Sequence, residues 1–414
     1  MKDPIFKRLL QLHPKFSDLS LGRIKKLLKE INFDESKLPY VIHIAGTNGK
    51  GSTASIIKSI LNSHGYSTHV YTTPHLVNFN ERIQLKSKNI SNQLLLKYLR
   101  FCEKKNKGRL ITFFEITTAA AFKAFQDHKA DFLILEVGLG GRFDATNIIT
   151  QAKHVAITPI SIDHQDYLGN TLTKIAFEKL GIINKKSKIF INKQKTIVQD
   201  FIQSFLKKHK LQATLFNTHW KIQSNKYKSQ NEVIDLSNLS LNGKHQQFNA
   251  GLAIRVCQDI LGTQFNNILT QKALQKCIWP GRFQPILKGK LVRSISRFKD
   301  IHLDGFHNLD GMKTFISNLP SNRKILVCSF LNNKKYNQML NKLSPHFKEI
   351  IVVQMNEENS ITQKDLSSQL SVTFVSSLNK LFPALNQRST KDTSLYFGGS
   401  LYFIGEVLKY NQTR

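Results

Sequence analysis

The segment Gly46-Thr47-Asn48-Gly49-Lys50-Gly51-Ser52-Thr53 packs glycines, hydroxyls and one ammonium group into a single short stretch. It follows the apolar run Tyr40–Ala45 and leads into Ser52–Asn62, whose apolar residues recur at helical spacing. A strand, a glycine loop and a helix in that order form an anion nest from backbone N–H groups and the helix N-terminus. Glycines let phosphate approach the backbone, Lys50 can reach β and γ oxygens, and a hydroxyl at Ser52 or Thr53 can hold Mg²⁺. The wording differs from the general P-loop: Ile44 stands where the first glycine would be, and Gly51 separates Lys50 from Ser52.

Ligands of a parallel sheet bind beyond the carboxyl ends of its strands. Glu136 closes the apolar run Phe132-Leu133-Ile134-Leu135, and Asp163-His164-Gln165-Asp166 follows a run ending at Pro159-Ile160. Both segments belong at the same sheet edge as the glycine loop, where a Glu and a His can complete a hard-cation site. Gly138–Asn147 is too rich in glycine for a helix and reads as an ordered loop of that edge. The loop Thr73–Arg82, with Pro74, His75 and Arg82, either contacts substrate or is a plain connector. After His164, the residues Leu172, Ile175, Ala176 and Ile183 form a helical stripe, and Lys179 falls on the same face. Such a lysine either snorkels to water or is desolvated with a lowered pKa.

The elements that position these residues alternate. A first helix is expected over Leu19–Ile31, then a strand at Tyr40–Ala45 and a helix ending near Gly65. Helix Phe114–Gln126 precedes strand Asp131–Val137, and strand His154–Ile160 precedes helix Leu172–Ile183. Strand–helix alternation implies parallel strands with right-handed crossovers. Residues 184–245 carry short β-like runs at Lys188–Ile191, Trp220–Ile222 and Glu232–Asp235, read as a helix plus a small antiparallel excursion. Phe248–Leu261 returns to helix. Trp279-Pro280-Gly281-Arg282 breaks regular structure and divides the chain into 1–281 and 282–414. In the second part, strands near Asp300–Asp304, Lys324–Ser329, Glu349–Gln354, Val372–Val375 and Ser394–Phe397 alternate with helices.

Length agrees with two cores, since 414 residues exceed what one supports. With 41% apolar residues spread along the chain, wholesale disorder is excluded, and no apolar run is long enough to span a membrane. Met1-Lys2-Asp3-Pro4 does not read as a signal peptide. Four isolated cysteines fit a reducing cytoplasm rather than a disulfide framework. The net charge of +32 suggests a polyanionic partner, yet 47 of the 60 cations are Lys and 13 are Arg, scattered beside Asn and Gln. Nucleic-acid interfaces favour clustered Arg. The charge therefore reads first as solvated Lys reflecting compositional bias, with steering of a small anionic substrate as the lesser alternative; no nucleic acid and no membrane are expected, and a monomer is the expected state.

HIAGTNGKGST, TTPHLVNFNERI, LILEVGLGGRFDATN, SIDHQDYLG, AFEKLGI, GKHQQFNA, WPGRFQ, DGFHN and GGSLYFIGEVL stand in this order from residue 43 to residue 408. Together they resemble the folylpolyglutamate synthase/dihydrofolate synthase family of ATP-dependent Mur ligases. The resemblance implies a P-loop ATPase-type domain with a mostly parallel sheet over 1–281 and a smaller Rossmann-like α/β ligase domain over 282–414. It implies ATP and Mg²⁺, with L-glutamate and dihydropteroate or a reduced folate as the other substrates. Gly46 to Thr53, including Lys50, match the residues that bind ATP phosphates, and Ser52, Glu136 and His164 match the metal ligands. Asn249 matches an adenine contact, Arg282 a phosphate contact and Asp304 a ribose contact. His307 lies in the motif the family writes DGAHNP, here Asp304-Gly305-Phe306-His307-Asn308-Leu309. Asp144 and Ala145 match a pterin-binding loop of bifunctional members, and Pro74, His75, Arg82 and Ser400 are carried over as substrate contacts. Lys179, in Glu178-Lys179-Leu180-Gly181, matches a lysine carbamylated by CO₂ that helps hold a second Mg²⁺. The rival readings are a cell-wall Mur ligase, a nucleic-acid-dependent P-loop ATPase and a degenerate binding protein that has lost catalysis.

Overall fold

The computed structural model describes residues 3–12, 20–230, 232–295, 297–388 and 391–413; Leu19, the expected start of the first helix, lies outside them. The described residues form two compact units: 1–240 with 246–278, and 241–245 with 279–414. The division after Ile278 falls just before the expected one at 281/282, and the short segment 241–245 groups with the second unit.

The first unit is built on an eight-stranded sheet. Its strands are β1 (Tyr40–Ala45), β2 (Thr68–Tyr71), β3 (Ile83–Leu85), β4 (Lys88–Asn89), β5 (Phe132–Glu136), β6 (His154–Ile157), β7 (Lys188–Ile191) and β8 (Ala213–Leu215). They lie in the order β4-β3-β2-β5-β1-β6-β7-β8. All neighbours from β2 to β8 run parallel, and β3 and β4 fold back antiparallel at one edge. Strand β1 is central, and from Val41 to Ala45 every residue is buried. An unbroken apolar run is what a strand covered on both faces requires. The loop leaving β1 leads toward β2 on one side, and the chain leaving β6 leads toward β7 on the other. The carboxyl ends of β1 and β6 therefore form a topological switch point, where open α/β sheets bind ligands.

Local sequence accounts for the flanking helices. Thr112 and Glu115 form a capping box that opens Phe113–Asp127, and Thr171 caps Leu172–Leu180 through its side chain. The latter helix stops three residues short of the expected Ile183. Strand β6 ends at Ile157 rather than Ile160, because Thr158 and Pro159 turn toward the loop after β1. Region 184–245 differs most from expectation. The run Lys188–Ile191 is not part of an excursion but extends the main sheet in parallel, followed by helix Thr196–Lys208 and strand β8. The antiparallel excursion is β9 (Trp220–Gln223), β10 (Lys226–Ser229) and β11 (Val233–Asp235).

The second unit has a six-stranded sheet of β12 (Gln284–Pro285), β13 (Asp300–Asp304), β14 (Arg323–Cys328), β15 (Glu349–Val353), β16 (Thr373–Val375) and β17 (Thr393–Gly398). The order is β12-β13-β17-β14-β15-β16, with only β12 antiparallel. Phe306, Phe315, Phe330, Phe347 and Tyr396 form an aromatic core beside this sheet. The expected α/β class, with a mostly parallel sheet in each part, is the observed one. Among the described residues no helix is long and apolar enough to cross a membrane.

Helix Lys244–Leu261 spans the first unit's sheet and is pinned at its far end. Asp259 accepts hydrogen bonds from His154 Nε2 at 2.8 Å and Lys188 Nζ at 2.7 Å, while the Tyr40 hydroxyl meets His154 Nδ1 at 2.8 Å. Burial works against the Asp259 carboxylate, but the hydrogen bonds from His154 and Lys188 outweigh it and hold the pKa at about 2. His154 is buried and stacks on Phe190. Removing the charge that both donors face should lower the unfolding free energy by about 1–3 kcal/mol. Urea denaturation of Asp259→Asn is expected to show this as a lower midpoint at an unchanged slope; a wild-type midpoint would remove the pin.

Candidate active site

Two backbone conformations fix the loop after β1. Gly46 has φ +141°, and a Cβ there would lie 1.9 Å from Thr158 Oγ1. Gly49 has φ +89°, and a Cβ there would lie 2.4 Å from Asn249 Oδ1. Only glycine meets both demands. The N–H groups of Thr47 and Asn48 donate to the Pro159 carbonyl at 3.0 and 3.2 Å. Thr47 Oγ1 donates to the Ser161 carbonyl at 3.1 Å and accepts from its N–H at 3.0 Å. The loop is thus strapped to the segment leaving β6. The anion-seeking N–H groups come from the first turn of helix Lys50–Ser63, at Lys50, Gly51 and Ser52, which have no intrahelical acceptors. Ser52 and Thr53 are buried in that turn.

Lys50 Nζ donates to the carbonyls of Gly46 and Thr47, both at 3.2 Å, and lies 4.0 Å from Glu136 Oε1. Register places Glu136 beside Ile44 at the end of β5. Its other oxygen accepts from Thr73 N–H at 3.2 Å. Lys179 reaches the same carbonyl as Lys50, donating to Gly46 O at 2.9 Å. It is only 5% exposed, so it does not snorkel. Burial, with Lys50 adding to it, lowers its pKa to about 7, against the opposing pull of Asp163 and Asp144.

His164 adopts the left-handed conformation, φ 50°, and its side chain is 43% exposed. Its backbone N–H donates to Asp163 Oδ1 at 2.9 Å. Asp163 is buried and close enough to Lys179 to act on its charge, yet the sequence reading passed over it for its neighbour. Its position in Asp163-His164-Gln165-Asp166 was the available signal; burial, which periodicity could not assign in a turn, distinguishes it. Among the described residues no three His, Cys, Asp or Glu side chains converge into a ready metal cluster. The Ser52 hydroxyl, in the first turn of helix Lys50–Ser63, and the Glu136 carboxylate, at the end of β5, are nonetheless both hard-oxygen donors. That suits Mg²⁺, which keeps waters and substrate phosphates as its remaining ligands.

Loop Gly138–Asn147 is organised from within. Asp144 Oδ2 accepts from Leu139 N–H at 2.7 Å; Oδ1 accepts from Thr146 N–H at 2.9 Å and from its hydroxyl at 2.6 Å. Burial raises the Asp144 pKa although these donors oppose it. Ala145 is buried in the following turn. Both residues shape the loop rather than project from it. His43, in the middle of β1, sits 2.9 Å through Nε2 from Thr146 Oγ1. Thr146 gives its one proton to Asp144, so His43 donates through Nε2, and among the described residues its buried Nδ1 has no partner. Burial drops this imidazole to about 3, so it is neutral. The sequence reading missed this relay, because a histidine within an apolar run resembles any core residue. Arg142 joins the loop to the Lys179 helix through its N–H on Glu178 O at 2.7 Å and its guanidinium on the Glu178 carboxylate at 2.7 Å.

Loop Thr73–Arg82 is also ordered. Glu81 accepts from the N–H groups of Leu76, Val77 and Asn78 at 2.8, 3.0 and 2.7 Å. Arg82 Nε donates to His75 Nδ1 at 2.9 Å, and burial together with Arg82 lowers His75 to about 4. Pro74 follows Thr73, the residue whose N–H binds Glu136. This loop is therefore tied to the phosphate loop's carboxylate neighbour through Thr73.

In the second unit, Asp304, His307 and Ser400 lie at or just beyond the carboxyl ends of β13 and β17, with Asp304 opposite Gly398, and Arg282 just precedes β12, which pairs antiparallel with β13. Asp304 accepts from the N–H groups of Phe283 and Phe306, each at 2.9 Å. Burial raises its pKa to about 6, against Arg282 and these donors. Arg282 Nη1 donates to Gly305 O at 2.9 Å, and His307 Nδ1 lies 3.2 Å from the same oxygen. Ser400 caps helix Leu401–Gln412 by accepting from Tyr402 N–H at 3.2 Å. Where the family writes Ala, Phe306 is buried and stacks on Phe315 at 4.8 Å. Asn308 caps the helix that Leu309 opens, accepting from Gly311 N–H at 2.8 Å. His245, which its sequence context does not single out, is half-buried and pushed down to about 4 by desolvation and by Arg282.

Comparison with known proteins places the chain in a family. The Mur ligase middle domain family matches residues 44–257. A dihydrofolate synthase/folylpolyglutamate synthase of Haemophilus influenzae is 31% identical over 402 residues, covering 93% of this chain and 88% of that protein. One of the same description from Bacillus subtilis is 30% identical over 416 residues, covering 94% of each. The Mycobacterium tuberculosis folylpolyglutamate synthase, solved with ADP and AMPPCP, superposes with a TM-score of 0.86 at 26% identity, covering 99% of this chain and 98% of that one. The chain belongs to the dihydrofolate synthase/folylpolyglutamate synthase family of Mur ligases.

Proposed function

We propose that this protein is an ATP-dependent ligase that joins the amine of L-glutamate to the carboxylate of dihydropteroate and, in the same site, of reduced folates. The carrying observation is the strapped glycine loop with Lys50 held 4.0 Å from buried Glu136, in a chain matched almost end to end by bifunctional relatives. Family membership sets aside the nucleic-acid-dependent ATPase and the cell-wall ligase.

A carboxylate is a poor electrophile at neutral pH. Transfer of a phosphoryl group from ATP to the substrate carboxylate makes an acyl phosphate. The glutamate amine then forms the C–N bond, and phosphate leaves. The protein's task is positioning and charge neutralisation. Lys50 and the first-turn N–H groups face the phosphates, and Asn249 beside Gly49 supports the base. Ser52, Glu136 and His164 are the candidates to hold Mg²⁺, which when bound neutralises charge on the transferred group. Within the second unit, Arg282, Asp304 and His307 match the family's ATP contacts and Ser400 a substrate contact. Pro74, His75, Arg82, Asp144 and Ala145 belong to the two loops that frame the pterin side. Lys179, neutral in part near pH 7, is competent to bond CO₂ as a carbamate, releasing one proton and replacing a cation by a carboxylate-like group.

ATP-dependent incorporation of labelled glutamate tests the reading. Product is expected with dihydropteroate and with tetrahydrofolate, and DNA is expected to leave ATP turnover unchanged. Activity with tetrahydrofolate alone would reduce the enzyme to a polyglutamate synthase. Lys50→Ala is expected to lower turnover by ~10²-fold or more, the usual loss for one oriented electrostatic group; wild-type turnover would remove Lys50 from the phosphate site.

Lys179 also makes a prediction about stability. Its folded pKa of about 7 lies below its ordinary 10.5, so between these values the unfolded chain binds more protons than the folded one. The Lys179 contribution to stability must therefore rise with pH across that window and stay unfavourable below it. Lys179→Met removes this dependence. Thermal melts in CO₂-free buffer should show the variant more stable than wild type below pH 7, with the gap closing by a few kcal/mol (about 1.4 per pKa unit) as pH approaches 10. Parallel pH profiles for the two proteins would mean that Lys179 is not desolvated.

A further inference from the structure

We propose that the first unit carries a second binding site, for a small anion bearing several phosphate or carboxylate groups, on the sheet edge opposite the phosphate loop. A cavity of about 710 Å³ opens between the small sheet β9–β11 and the end of helix Lys244–Leu261. That volume is typical of ligand sites. Four basic side chains line it, His219, Lys221, Lys228 and Arg255, against one carboxylate, Glu232. Glu232 is already engaged, accepting a hydrogen bond from Asn267 Nδ2.

Two donors in the lining have no acceptor. Arg255 is half-buried. Its guanidinium lies 5.9 Å above the Phe190 ring, and among the described residues it has no hydrogen-bond or ion-pair partner. Trp220 is 2% exposed, and among the described residues its buried indole N–H has no partner. An indole nitrogen can only donate. Partly buried donors, one of them charged, are costly to leave unmatched. Lys228 has only the neutral Gln223 side chain, at 3.3 Å, for company. An acceptor-rich anion is the complement to this set. A polyphosphate and an oligo-γ-glutamate both present closely spaced anionic groups.

The place is separate from the candidate active site. Asn249 touches the phosphate loop, while Arg255, six residues on, stands about 9 Å further along the helix. Beyond it Asp259 is bound to His154 at the start of β6, and the Tyr66 hydroxyl, just before β2, donates to Gln264. Those are amino ends of strands, so the cavity lies toward the other edge of the sheet.

Trp220 provides a built-in reporter. The chain has two tryptophans, and Trp279→Phe leaves Trp220 as the only indole. Its emission is followed during titration with sodium tripolyphosphate and, separately, with γ-linked triglutamate. Saturating ADP occupies the phosphate loop, and salt is held at about 0.15 M to screen loose surface binding. A saturable change in at least one arm is expected, and the arm that responds identifies the chemistry. Arg255→Gln and Lys228→Gln should each weaken binding tenfold or more, while Lys26→Gln on a distant helix should not. Circular dichroism verifies the fold of each variant, and Lys228, on the face of a strand, is the substitution least able to disturb it. No saturable change in either arm, unaltered affinity in both cavity variants, or equal weakening by Lys26→Gln would overturn the proposal.

Discussion

One carbonyl oxygen, that of Gly46, receives two ammonium groups, Lys50 at 3.2 Å and Lys179 at 2.9 Å. Two like charges this near each other, away from water, are strongly coupled, and the more buried partner gives up its proton more readily. Much of the first unit serves this arrangement. Gly46 must lack a side chain because Thr158 stands against it. Pro159 must present its carbonyl to hold Thr47 and Asn48. The Lys179 helix must dock where Arg142 binds Glu178. The chemistry of the site thus depends on a backbone atom, placed by the central strand of the sheet.

Much of this was legible in the sequence for a simple reason. An apolar run ending in glycines before a helical stripe has few other meanings, and β1 and the following helix fall where the pattern put them. Lys179 was recoverable because Leu172, Ile175 and Ala176 define its face, although Ile183, read into the same stripe, lies beyond the helix. What escaped reading was tertiary. Asp163 and His164 are adjacent and equally polar; only folding sends one inward and leaves the other half exposed. The Lys188–Ile191 run carries no mark that it pairs with β6 rather than with the β9–β11 meander, since partner choice for a short strand is set by the crossover before it. His43 is hidden in an apolar strand, and its value lies in a hydroxyl more than a hundred residues away.

In the second unit, departures from the family's wording are absorbed by packing. Phe306 fills space that a smaller residue would leave, and Gly398 across the sheet makes room for it, since a Cβ there would lie 2.5 Å from the ring. Asp304 keeps both its backbone donors throughout. A local change of side-chain size therefore leaves the backbone of the motif in place, which is why a motif read letter by letter overstates such a difference.

The sheet borders have a consequence for the protein's behaviour in a crowded solution. An open sheet invites a stray chain to add a strand wherever a long row of N–H and C=O groups is left unpaired. Here the eight-stranded sheet ends in the two exposed polar residues of β4 on one side and in the short, half-buried three-residue strand β8 on the other. The six-stranded sheet ends in β12, where Pro285 has no N–H to offer, and in the three-residue β16. Each border is too short, too polar or too poor in donors to template a neighbour. The long central strands can therefore remain as apolar as their buried position demands without making the molecule prone to stack on itself.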